Sequence, residues 1–369
     1  MIINYLTYQS FPADTANSLQ TISNIKYFVK SGFDVSLYFP LREKQSDGNL
    51  KNIQNHYGIS ESFQVIGFKH LLPFGKIGVL KKSSFHLSHF LWSWFIVRRH
   101  FTSIKKQEIF FTRSEWILYF LAKKGHQVLF ECHQTSKIRN YILKKTKHME
   151  NIKYIFLNKH LEDFYQLPQK RSFILHNGVD SELFNIKKIP RKKEIVFVGN
   201  LSRFKKTRNI DFLIKCYKLH PELKKYKLSI VGGPNEIAEE LKLEVKKNNL
   251  SNSIFIHGRQ SRKISTEIIN SSTIGVLINS KDNIHSYKYT SPLKYFEYLY
   301  GGLNVVAVKF PAHEVLPYSE NITFFNEGDT VSFLTAIKDS IYKDPTKIDQ
   351  LKNITLAARV EKIKKIIYS

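Results

Sequence analysis

Short apolar runs alternate with amphipathic stretches along the whole chain. Residues 2–8, 34–39, 108–112, 128–131, 154–157 and 172–175 read as strands, and 16–30 and 116–124 as helices between them. Such alternation predicts an α/β protein with parallel sheets covered by helices on both faces. The pattern breaks at His176-Asn177-Gly178-Val179-Asp180, and a polar, basic stretch follows, ending in Pro190-Arg191-Lys192-Lys193. Alternation then restarts, with strands expected at 194–198, 227–231, 254–257, 273–278, 304–308 and 322–325. Two doubly wound domains are the natural reading, 1–176 and 177–348, with a last helix at 349–369 expected to pack back on the first. Ligands of such sheets sit at the carboxyl ends of strands.

Composition narrows the class. A chain of 369 residues suits two domains better than one core. Two cysteines, Cys132 and Cys216, exclude a disulfide framework or a Cys-x-x-Cys metal knuckle. No apolar run of about 18 residues is present, and the start reads as a first strand, not a signal peptide. A cytoplasmic protein is expected. The net charge of +26 favours polyanions or an anionic membrane surface as neighbours, unless it is plain solvated surface.

Residues 71–106 interrupt the alternation. They hold the aromatic run from Phe85 to Val97, then Arg98-Arg99, flanked by Lys81-Lys82 and Lys105-Lys106. A basic, aromatic helix of this kind either lies in a membrane interface, with Trp92 and Trp94 as anchors, or is a core helix with one wet end. His86 and His89 have helical spacing, but no third ligand is in view, so no metal site is expected.

The most informative stretch is 289–302, Tyr-Thr-Ser-Pro-Leu-Lys-Tyr-Phe-Glu-Tyr-Leu-Tyr-Gly-Gly. Ser291 is a good N-cap, Pro292 suits the first helical position, and Gly301-Gly302 suit the exit. A helix start between a polar loop and a buried strand presents unpaired N–H groups and a positive dipole end, which bind phosphate. Lys294 adds a charge, and Glu297, on the same side, can accept hydrogen bonds from sugar hydroxyls. An ordinary helix with a Lys294–Glu297 surface pair would carry the same residues.

This segment resembles the donor-binding signature of retaining glycosyltransferases of the family 4 type, in the branch with Ser-Pro-Leu-Lys-x-Phe-Glu. The resemblance implies the GT-B fold, two Rossmann-like domains facing across a cleft, and a nucleoside-diphosphate sugar, most often a UDP-sugar, as donor. It implies donor contacts from Ser291, Pro292, Leu293, Lys294 and Glu297. In the family a Gly-Arg-Leu loop with a later Lys grips the diphosphate. Here the loop starts at Gly199, Lys205 falls on the Lys, and Asn200 replaces the Arg, with Arg203 close enough to supply the missing charge. Gly232, beside Gly233, and Gly258-Arg259 match loops that line the nucleotide pocket, unless the glycines only make tight turns. The strand end Glu131-Cys132-His133 resembles the family's His facing the transferred sugar. His133, Lys205 and Glu297 are thus the implied catalytic set, and Arg113, Asp14 and Asn17 the implied acceptor side. Asp14 or Thr15 is placed to cap the helix that follows.

Two departures stand out. The first acid of the family's Glu-x7-Glu pair falls on Tyr289, and no Asp-x-Asp occurs. A metal-independent reaction without further cofactor is expected, with cations and helix dipoles stabilising the leaving diphosphate. The acceptor implied is a glycan, lipid-linked by the membrane argument, in capsule or O-antigen type assembly. An epimerase of the same fold fits the donor site too. A basic nucleic-acid binder fits the charge, but no recognition motif supports it.

Overall fold

The computed structural model describes residues 1–42, 46–70, 72, 81–184, 192–203, 206–351 and 353–369. The chain divides into two compact units, Met1–Leu175 with Val360–Ser369, and His176–Arg359.

The first unit runs β1 (Ile2–Leu6), α1 (Ala16–Lys30), β2 (Asp34–Leu41), α2 (Leu50–Tyr57), β3 (Gln64–Lys69), α3 (Lys81–His100), β4 (Glu108–Thr112), α4 (Glu115–Lys123), β5 (Val128–Cys132), α5 (Lys137–Thr146), β6 (Ile152–Phe156), α6 (Lys159–Tyr165) and β7 (Ser172–Ile174). Its sheet has the order β3-β2-β1-β4-β5-β6-β7, with every pair parallel. The winding reverses between β1 and β4, which opens the crevice at their carboxyl ends. Helix starts are fixed by side chains: Thr15, Asn49, Ser114, Ser136 and Asn158 each accept from a first-turn N–H. Thr15, not Asp14, is the cap of α1. Phenylalanines fill the core, among them Phe11, Phe28, Phe39, Phe110, Phe111, Phe130 and Phe156. The sequence pattern shows neither α2 nor β3. β3 is an edge strand whose residues are only partly covered, and its short apolar run, Val65-Ile66-Gly67-Phe68, contains a glycine.

The second unit runs β8 (Glu194–Val198), the short hairpin β9 (Ser202–Arg203) and β10 (Lys206–Thr207), α7 (Ile210–Leu219), β11 (Lys227–Val231), α8 (Asn235–Lys247), β12 (Ile254–Gly258), α9 (Arg262–Ser271), β13 (Ile274–Leu277), a π-helical turn (His285–Tyr289), α10 (Leu293–Tyr300), β14 (Asn304–Val308), α11 (Pro311–Glu314), β15 (Ile322–Phe325) and α12 (Thr330–Ile341). Its parallel sheet has the order β12-β11-β8-β13-β14-β15, so the winding reverses between β8 and β13. Two apolar clusters, led by Leu213, Ile230 and Phe333 and by Tyr295, Tyr298 and Val305, pack against it.

The final helix, α13 (Leu356–Tyr368), starts later than the sequence pattern implies. Residues before it are spent on the second unit. Val179 donates to Ile354 O at 2.8 Å, and Leu356 donates to Val179 O at 2.9 Å. A side chain at Gly178 would stand 2.8 Å from the Thr355 carbonyl carbon, so the two segments meet only because this residue has none. From Val360 onward α13 belongs to the first unit, where Lys153 Nζ donates to Ile366 O at 2.6 Å.

Candidate functional site

In the second unit the strand ends β8, β11 and β12 are joined by backbone. Gly199 donates to Val231 O at 2.9 Å, Leu201 to Gly233 O at 2.8 Å, and Gly232 to Gly258 O at 2.8 Å. The floor is tight: a Cβ on Gly232 would lie 1.7 Å from Gly199 O. Gly258 sits at φ +67°, and the next N–H, of Arg259, donates to Asn235 Oδ1 at 3.2 Å. Gly199 and Gly232 are partly exposed and carry no side chain that would keep a ligand from the backbone, while Gly258 is buried behind them and supports Gly232.

Two guanidinium groups border that floor. Arg259 Nε lies 3.4 Å from where a Gly233 Cβ would stand, and Arg208 Nη1 3.5 Å from the corresponding point on Gly199. Arg208 was not legible in the sequence as a site residue. The β9–β10 hairpin pairs Arg203 with Lys206 and Ser202 with Thr207, and Arg208 then donates its N–H to Leu201 O at 3.1 Å. The chain thus folds back on itself and returns Arg208 to the end of β8. Residues 202–207 carry none of the Gly, Asn or Asp turn signals that mark a hairpin, so the sequence offered no clue. Asn200 is exposed. Lys205 and the side chain of Arg203 lie outside the described residues.

α10 follows the π-helical turn and leads into β14 beside β13, so it runs against the strands and starts at their carboxyl ends. Its second turn is locked to the sheet. Val198 N–H donates to Tyr298 Oη at 2.8 Å, and Gly275 of β13 leaves the space that the Tyr298 ring fills, since a Cβ there would lie 2.4 Å from the ring. Leu293 precedes Tyr298 by five positions, so the helix start lies about 7.5 Å along the axis from that residue.

The capping expectation needs correction. Pro292 occupies the cap position, the helix starts at Leu293, and no side chain caps it. Ser291 is buried and points elsewhere: its hydroxyl accepts from Asn177 N–H at 3.0 Å, while Asn177 Nδ2 donates to Ser291 O at 2.5 Å. The hydroxyl is consumed in anchoring the 176–180 segment, which leaves the first N–H groups of α10 without a side-chain cap. Lys294 and Glu297 form the ion pair that an ordinary helix would show, partly buried, with Lys294 Nζ donating to Glu297 Oε2. Tyr289 is buried in the π-helical turn and supplies no acid.

In the first unit, Arg113, Asn17 and His133 come together through Glu131. This carboxylate is fully buried at the end of β5. Its Oε2 accepts from Arg113 Nε at 2.7 Å and lies 3.2 Å from His133 Nε2. Arg113 Nη1 donates to Asn17 Oδ1 at 2.8 Å and Gln20 Oε1 at 3.3 Å. Arg113 is therefore committed to tying α1 and β5 to its own loop; it and Glu131 are buried, whereas Asn17 is exposed and His133 partly exposed. A second buried pair, Arg139 Nη2 to Glu115 Oε2 at 2.9 Å, lies alongside. Burial alone would raise the Glu115 pKa, but Arg139 and His89 outweigh it and hold the carboxyl below its usual range. Asp14 stands apart, mostly exposed, 3.1 Å from His56.

Sequence reasoning also missed a polar stack beyond β1, β2 and β3. The Tyr8 ring lies between Arg42, 4.2 Å away, and His89, stacked at 4.2 Å. Tyr8 Oη is 2.6 Å from Ser88 Oγ and 3.1 Å from His70 Nε2. These residues sit in four separate segments of the chain, so spacing gave no warning. Among the described residues no group of His, Cys, Asp or Glu is gathered as a metal ion requires.

Residues 192–342 match the model of the family described as glycosyl transferases group 1. No curated protein matches the sequence. Among solved structures the chain is similar to a glycosyltransferase from Rickettsia africae ESF-5, with TM-score 0.67, 15% identity and coverage of 99% of this chain and 97% of that one. It is similar to a sucrose-phosphate synthase from Thermosynechococcus elongatus, with TM-score 0.70, 13% identity and coverage of 100% and 99%. It is also similar to Anabaena HepE, solved in complex with UDP and glucose, with TM-score 0.61, 14% identity and coverage of 100% and 96%. At these identities the likeness shows the fold. The chain has the two-sheet α/β architecture of GT-B proteins, and within it residues 192–342 are similar to glycosyl transferases group 1.

Proposed function

We propose that this protein is a retaining glycosyltransferase that takes its sugar from a nucleoside diphosphate sugar held by the second unit. One observation carries the reading: the partly exposed, side-chain-free backbone of Gly199 and Gly232, bordered by Arg208 and Arg259, lies in the same unit as an uncapped helix start. A diphosphate needs close backbone approach, N–H donors and fixed positive charge, and this arrangement offers all three. Arg208 takes the part of the Arg replaced by Asn200. Lys294 trades its carboxylate partner for phosphate, and Glu297, released, accepts from the ribose hydroxyls. Lys205, on the family's Lys position, adds positive charge.

The reaction breaks the bond between the anomeric carbon and the diphosphate oxygen and forms one from that carbon to an acceptor hydroxyl oxygen, whose proton passes to the departing diphosphate. Negative charge grows on that oxygen as it leaves, and the guanidinium groups and helix N–H groups stabilise it with no metal ion needed. His133, steadied by Glu131, handles the sugar or its acceptor. The Anabaena relative solved with UDP and glucose supports UDP as the nucleotide. A lipid-linked glycan acceptor in surface polysaccharide assembly, at the cytoplasmic side of a membrane, completes the proposal.

A thermal-shift screen against UDP-, GDP-, CDP- and dTDP-sugars tests it. UDP-sugars are expected to raise Tm in the parent and to lose most of that effect in Lys205→Ala, Arg208→Ala and Glu297→Ala. A parent that responds to none of them refutes donor binding. Variants that all respond as the parent does refute the site. Release of free sugar nucleotide isomers without transfer would mark an epimerase.

A further inference from the structure

α3 has two contrasting faces. Ser88, His89, Trp92, Ser93, Ile96 and Val97 are buried, whereas Leu87 is 59% exposed, Leu91 37%, Trp94 41% and Phe95 45%. At about 100° per residue these four fall on one stripe, and Arg98 continues it by another turn, about 17 Å in all. Trp92 is therefore core and Trp94 surface, so of the two expected anchors only Trp94 is placed to reach a membrane.

The charges around the stripe are of one sign. Residues 81–107 contain six Lys or Arg and no Asp or Glu. The Arg98 guanidinium lies 5.3 Å from the Trp94 ring centre and that of Arg99 5.6 Å from Phe95. On the neighbouring α4, whose Trp116 and Phe120 pack edge-on against Phe90, Lys123 Nζ stands 4.9 Å from Tyr119. Exposed rings with cations laid over them suit a boundary between hydrocarbon and anionic headgroups. A second copy of the chain fits poorly, because a two-fold contact would set this acid-free face against itself. Nucleic acid fits poorly too, since Leu87, Leu91 and Phe95 gain nothing from a phosphate backbone.

We propose that this face of the first unit docks on an anionic lipid bilayer, with Leu87, Leu91, Trp94 and Phe95 entering the acyl boundary and Arg98 and Arg99 held against lipid phosphates. The proposal does not depend on sugar transfer and is read without nucleotide. The test is flotation of the full chain with vesicles of phosphatidylcholine alone or mixed with phosphatidylglycerol. The parent is expected to float with the mixed vesicles and not with the neutral ones, and to be released by salt. Trp94→Ser with Phe95→Ser, and separately Arg98→Gln with Arg99→Gln, should each weaken binding by at least about tenfold. All four positions are exposed, so an unchanged Tm will show that the fold is kept. A parent that stays with the unbound fraction overturns the proposal, as do variants that float like the parent. A parent dimer that the Trp94→Ser, Phe95→Ser variant dissolves, without vesicle binding, would make a second copy the occupant instead.

Discussion

Gly232 and Tyr298 show how single atoms set the site. A methyl group on Gly232 would overlap Gly199 O, so Gly232→Ala must push two strand ends apart. A loss of about 3 kcal/mol in urea unfolding is expected, against near neutrality if the loop can yield. Tyr298→Phe keeps the ring over Gly275 but removes the acceptor for a buried Val198 N–H. That leaves a donor unsatisfied at about 1–3 kcal/mol. An unchanged unfolding midpoint in the Phe variant would mean that α10 is not anchored as described. At this scale the sequence was only partly legible. Glycines announce themselves, and Gly232 and Gly258 were marked by type and position. Arg208 was not, because its role comes from a hairpin that reverses the chain. Ser291 was misread because its competitor for hydrogen bonds, Asn177, lies 114 residues away.

At the scale of elements, helices with strong caps and strands buried on both faces were readable, and β8, β11, β14 and β15 fall where the apolar runs place them. The half-covered β3 was not, and α3 resisted because its two faces are both rich in aromatics. α3 also makes the first unit sensitive to acid. Burial, with Arg42 adding to it, lowers the His70 pKa to about 4. Burial dominates at His89, lowering it to about 3; Glu115 opposes, while His86, Arg42 and Arg139 add to the depression. Both rings are neutral in the folded state, whereas in the unfolded chain they charge near pH 6.5. Between those values the unfolded state binds more protons, so stability falls as pH drops from about 6.5 toward 4. Urea midpoints across that range should show the decline, and His89→Phe, which keeps a ring against Tyr8, should flatten it. An equally steep decline in the variant would place the acid sensitivity elsewhere.

For the molecule as a whole, the alternation of strands and helices was enough to imply two parallel α/β sheets, and sheet order then locates the crevices, between β1 and β4 and between β8 and β13. Charge did not reveal its own use: +26 is spread over the chain, and only the exposures in α3 separate the proposed lipid-docking face from ordinary solvated lysines and arginines. The central claim is that the second unit holds a nucleoside diphosphate. A crystal of the full chain soaked with UDP tests it most directly. The account predicts diphosphate density over Gly199 and Gly232, within hydrogen-bond reach of Arg208 and of the first N–H groups of α10. Density for UDP elsewhere, or a floor occluded by side chains at saturating nucleotide, would contradict it.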